Sequence, residues 1–102
     1  MDNKRVLANL HVLMRIRKRD GNVHSASSYQ RAMMEIKRIV AVRPRCAAVE
    51  LTNVAGERIV GRIMTVLATG EDLPEVTRLL SCNDPIAVEA YEAYHPIFLR
   101  TH

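Results

Sequence analysis

Aromatic residues are nearly missing from this 102-residue chain, which has no tryptophan, one phenylalanine and three tyrosines. A core without rings must be assembled from Leu, Ile, Val, Met and Ala, which pack as helix on helix more readily than as an aromatic-rich sandwich. The scarcity points to an all-α class. Cysteine is scarce too: Cys46 and Cys82 stand alone, with no second Cys or His at zinc-ligand spacing, and both are expected to be reduced and buried. No apolar run approaches the roughly 18 residues of a membrane span, and the charged residues 1–5 lead into an amphipathic pattern, not an apolar leader. A soluble intracellular protein is expected, with the nucleus, a virion or a virus factory as candidate locations. Internal repeats, low-complexity stretches and Walker-type glycine loops are also missing.

What is present is an ordinary globular composition, 48% hydrophobic and 25% charged, in a length that suits one core. The net charge of +4 is unevenly spread. Residues 1–70 carry thirteen Lys and Arg against five Asp and Glu, whereas residues 71–102 carry two against six. A basic body attracts a polyanion through phosphate neutralisation, and an acidic end on the same surface would repel it. Two faces with two tasks are therefore expected.

Apolar residues at helical spacing divide the chain. Val6, Leu7, Leu10, Leu13 and Met14 form one face of a first helix over 4–18, with Asn3 as its cap and Arg15, Arg17, Lys18 and Arg19 in its last turn. Asp20-Gly21-Asn22 ends it. Ser25, Ser27 or Ser28 caps a second helix with Tyr29, Ala32, Met33, Ile36, Ile39 and Val40 inward, running to the Arg43-Pro44 step. A short helical turn over 45–51 precedes Thr52-Asn53-Val54-Ala55-Gly56. A further helix follows, with Ile59, Val60, Ile63, Val66 and Leu67, stopped by Gly70. Asp72 with Pro74 and Asp84 with Pro85 are two more helix starts. Gly61, inside the helix before Gly70, suggests a close backbone approach by a neighbour. The fold class is a compact bundle of about five or six short helices.

The tight turn before Ile59 is the segment with chemistry in it. A helix-hairpin-helix motif sets a bare turn and the next helix's first amides against a phosphate. Gly56 supplies the bare position, Asn53 tolerates left-handed backbone, Ala55 adds no bulk, and Arg58 and Arg62 follow one turn apart. Any two packed helices can also be joined by such a turn.

His24-Ser25-Ala26-Ser27-Ser28-Tyr29-Gln30-Arg31-Ala32, then residues 51–56, then Ile59, Ile63 and Leu67-Ala68-Thr69-Gly70, resemble the N-terminal helix-hairpin-helix domain of family X DNA polymerases. The related domain of Mus-type junction nucleases is similar as well. The resemblance covers roughly residues 6–80 and implies a domain over 1–82 that binds phosphate at a DNA gap, with 83–102 as a helix and tail packed on it or docking a partner. It also implies that His24 and Tyr29 line the DNA pocket and that Arg58 stands at a phosphate-contacting lysine. An equally open reading buries Tyr29 and leaves His24 in a loop. The family turn has two glycines, and this sequence keeps one. At the place of the family's Schiff-base lysine stands Arg62, whose permanently protonated guanidinium cannot form an imine.

The sequence thus predicts non-sequence-specific DNA binding through Asn53, Ala55, Gly56, Arg58, Arg62, His24, Tyr29, Arg31, Arg15, Arg17, Lys18 and Arg19, in a repair, replication or packaging assembly. The alternative is a helical interaction subunit of a larger, even virion, complex, anchored through Tyr91, Tyr94, Ile97 and Phe98. A lyase using Lys4, Lys18 or Lys37 is a distant third. Scattered histidines and the absence of a nucleophile constellation predict no catalytic residues, no metal, no cofactor, no small-molecule substrate and no membrane partner.

Overall fold

The computed structural model describes the backbone of residues 3–42 and 56–95 and the side chains of 3–38 and 56–95. The expected turn over 45–51, Cys46, the hairpin residues Asn53 and Ala55, and the tail residues Ile97 and Phe98 lie outside them. The described residues form five helices and no strand: α1 (Asn3–Arg19), α2 (Val23–Val42), α3 (Gly56–Thr69), α4 (Pro74–Ser81) and α5 (Pro85–Glu92). The chain is an all-α bundle.

The organising element is α1. Periodicity in the sequence marks one apolar face, yet Val6, Leu7, Ala8, Asn9, Leu10, Val12, Leu13 and Ile16 are all buried, which takes in most of the helix circumference. Its main neighbours are α2 and α5, with α3 and α4 completing the enclosure. A helix covered this widely is a central helix, not a surface one. Tyr29, Ala32, Met33 and Ile36 of α2, Ile59, Ile63 and Val66 of α3, Val76 and Leu80 of α4, and Ala87, Ala90 and Tyr91 of α5 join it in one cluster. The last helix is therefore part of the common core.

Asn9 is the one buried polar residue among the described side chains, and its partners explain it. Its Nδ2 donates to the Arg5 carbonyl at 2.8 Å and to Asp72 Oδ1 at 2.9 Å, while its Oδ1 accepts from the Leu73 amide at 2.8 Å. Asp72 Oδ1 also accepts from Tyr91 Oη at 2.7 Å and Arg5 Nη1 at 3.1 Å. A buried amide is stable only when its donors and acceptors are matched, and this knot matches them while tying α1 to the start of α4 and to α5.

Several local expectations are corrected. The α2 cap is Asn22, whose Oδ1 accepts from the Ser25 amide at 3.2 Å; the serines lie inside the helix, where Ser28 Oγ donates to the His24 carbonyl. Helix α1 already includes Asn3. Asp72 does not cap α4: the cap position is Leu73, without a side-chain bond, because the Asp72 carboxylate is committed to the polar knot. Asp84 does cap α5, accepting from the Ile86 and Ala87 amides at 3.0 Å each. Cys82 is exposed at the end of α4, not buried. Among the described residues no neighbour comes within 4 Å of a Cβ placed on Gly61, so close approach by a described helix does not account for that glycine.

Candidate nucleic-acid interface

Helix α3 begins at Gly56, which has φ +75°, a left-handed backbone that a side chain would strain. The corner is exposed, and among the described residues no other group lies within 4 Å of a Cβ built there. The first amides of any helix have no acceptor within the helix itself, so an open N-terminal corner offers donors to an anion. Arg58 is exposed beside the corner, and Arg62 follows four residues later, half-buried. Glu57 occupies the same first turn and suits the helix dipole there.

The basic end of α1 is engaged internally. Arg17 makes a two-pronged pair with Glu75 of α4, Nη1 to Oε2 at 2.8 Å and Nη2 to Oε1 at 3.0 Å. Arg19 Nη1 reaches Asp84 Oδ2 at 2.8 Å, and its Nε reaches Asp20 at 3.3 Å. Arg15 meets Glu89 of α5 at 3.3 Å. The Arg17 and Arg19 pairs shift their titrating groups in the direction geometry dictates. Hydrogen bonding to Arg17 holds Glu75 below the usual carboxylate range, and the same bond raises Arg17. The Ala87 amide, then Arg19, lower Asp84. Bonds to Asp84 and Asp20 raise Arg19.

The expected separation into a basic face and an acidic face is therefore corrected. Carboxylates at 72, 75, 84 and 89 lie against arginines at 5, 17, 19 and 15, so acidic helices and basic helix share one surface. Repulsion would act on an external polyanion, whereas here the acidic segment is itself the counter-charge to the basic helix.

Of the other residues singled out for DNA contact, Lys18, His24 and Arg31 are exposed, and no carboxylate lies within ion-pair distance of them among the described residues. Tyr29 is 3% exposed and belongs to the core, so its placement in a DNA pocket is corrected in favour of the buried-face reading. Tyr91 is likewise corrected as a partner anchor: it is 1% exposed, with its hydroxyl on Asp72. Tyr94 is half-buried, edge-on to His11 at 5.3 Å between centroids, with Lys37 Nζ 4.8 Å from its ring centre. The Nδ1–H of His11 donates to the Ala90 carbonyl at 2.8 Å, the tautomer that a carbonyl partner requires.

Sequence reasoning missed Glu75 and Arg78. Arg62 Nη1 lies 3.9 Å from Glu75 Oε1, and the positive fields of Arg17, Arg62 and Arg78 all act on that carboxylate. Spacing offered one local signal, since Glu75 and Arg78 are three apart on α4 and share a face. The long-range partners left no mark in the sequence. Among the described residues no cavity opens, no group of His, Cys, Asp and Glu could hold a metal, and no helix is long and apolar enough to cross a membrane. No protein-family model, curated protein or solved structure matches the chain.

Proposed function

We propose that this chain is a DNA-binding module that holds backbone phosphates without reading sequence, as a domain or subunit of a repair, replication or packaging assembly. The observation that carries the reading is the open left-handed corner at Gly56 with Arg58 exposed beside it. Bare backbone, first-turn amides and a fork-shaped cation are what a phosphate oxygen needs, and none of them distinguishes one base from another. The resemblance of residues 24–32 and 51–70 to the hairpin domain of family X polymerases supports the same surface, while Arg62 in place of the imine-forming lysine favours binding without lyase chemistry.

The proposed contact surface is narrower than the sequence suggested, because Arg15, Arg17 and Arg19 already carry carboxylates. It centres on Gly56, Arg58 and Arg62, with Lys18, Arg31 and His24 as outlying contributors. Fluorescence anisotropy with a labelled gapped duplex tests it. Affinity is expected to fall steeply with salt, and Arg58→Ala is expected to lower the slope of log K against log salt by about one. Binding that ignores ionic strength, or an unchanged slope in a folded Arg58→Ala protein, would refute this role for the corner.

A further inference from the structure

We infer that Arg62 and Arg78 form a phosphate-binding site in which the Glu75 carboxylate is a built-in competitor that holds nucleic-acid affinity down. The inference rests on the DNA-binding reading and specifies how that surface is regulated.

Three guanidinium groups from three helices address one carboxylate: Arg17 from α1, Arg62 from α3 and Arg78 from α4. Their demands on it are unequal. Arg17 takes both oxygens in short bonds of 2.8 and 3.0 Å, whereas Arg62 stands 3.9 Å away, beyond hydrogen-bond distance. Arg78 is exposed one turn along from Glu75, and among the described residues no carboxylate lies within ion-pair distance of it. One negative charge thus faces three positive ones, and two planar forks retain donors for another anion. Partial burial matters here, because the Arg62 and Glu75 side chains are 30% and 26% exposed, so their fields are less screened than those of fully solvated groups. Arg58, one turn before Arg62 on α3, continues the positive track toward the Gly56 corner.

A phosphodiester group, with its two non-bridging oxygens, is the ligand that this geometry favours. It presents a single negative charge and paired acceptors, which guanidinium forks grip in parallel. Glu75 then has two opposing effects. It gathers arginines that would otherwise repel one another, and its charge repels the phosphate they would hold. Glutamine removes the charge and keeps the shape; it retains one acceptor, Oε1, for Arg17 and gives up the second bond, which is why folding is checked first.

The test is anisotropy with the same labelled gapped duplex on wild type, Glu75→Gln and Glu92→Gln, each first checked for folding by circular dichroism and thermal melting. Glu92→Gln alters net charge equally at an exposed position on α5 with no ion pair to these arginines. Glu75→Gln is expected to bind about tenfold more tightly, within the range of ordinary coupling between sites, with Glu92→Gln close to wild type. Equal gains in both variants, or no gain in a folded Glu75→Gln protein while wild type binds, would overturn the competitor and leave the DNA-binding reading standing. No binding by any of the three at low salt would instead overturn that reading and this one with it. If Glu75→Gln does not fold, Arg62→Ala and Arg78→Ala decide: each is expected to weaken binding and lower the salt slope by about one, and wild-type slopes in both would overturn the site.

Discussion

The hydroxyl of Tyr91 donates to Asp72 Oδ1 at 2.7 Å, so the last described helix is fixed to the carboxylate that Asn9 and Arg5 of the first helix also hold. Removing single members of this knot should have graded effects. Tyr91→Phe deletes one charge-assisted bond and is expected to lower unfolding free energy by about 1–2 kcal/mol. Asn9→Ala leaves the buried Leu73 amide without its acceptor as well, and a larger loss of about 2–3 kcal/mol is expected. Urea unfolding of both variants checks the order; a smaller loss in Asn9→Ala would contradict it.

Gly61 should be improvable. It lies inside α3, exposed, with no described group within 4 Å of where a Cβ would go, so alanine brings higher helix propensity and no clash with the described residues. Gly61→Ala is expected to stabilise the domain by about 1 kcal/mol. Gly70→Ala should do the reverse, because φ at Gly70 is +69° and a side chain is strained there. Thermal melts of the pair should move in opposite directions.

Acid should weaken the fold through the carboxylates that pair with α1. Glu75 and Asp84 titrate below their ordinary values when folded, so their contribution is complete above the unfolded carboxylate value of about 4 and is lost as pH falls through the lower folded value. Stability measured by urea titration should therefore hold steady from neutrality to about pH 5 and decline below it. In Glu75→Gln that decline should be shallower, since one of the groups taking up a proton has gone.

Cys82 should react in the native protein. Its thiol is exposed at the end of α4, so a maleimide reagent is expected to label it without denaturant, as read by peptide mass mapping. Labelling of Cys82 that required denaturant would show the α4 end to be covered.

Legibility from sequence followed the range of the interaction. The all-α class, the stop at Gly70 and the Asp84-Pro85 start are set by neighbours a few residues apart, and spacing and cap chemistry reveal these. Ala8, Asn9 and Val12 carried no expectation of burial, because a small, a polar and a single apolar residue do not signal a second buried face. Asp72 resembled Asp84 as a cap candidate, and only the distant Arg5, Asn9 and Tyr91 distinguish it. The same limit applied at the interface. Gly56 and Arg58 are legible as a bare corner and a nearby cation, whereas the pairing of Arg15, Arg17 and Arg19 with residues some sixty to seventy positions later depends on tertiary packing that no local pattern encodes.

Placing α1 at the centre has a consequence for assembly of the fold. Its companions on one side, Ala87, Ala90 and Tyr91, are synthesised some eighty residues after Val6 and Leu10. A nascent chain halted before Pro85 would hold α1 with one flank bare. Ribosome-bound intermediates of that length should consequently be sticky and protease-sensitive, and acquire resistance only once α5 has emerged.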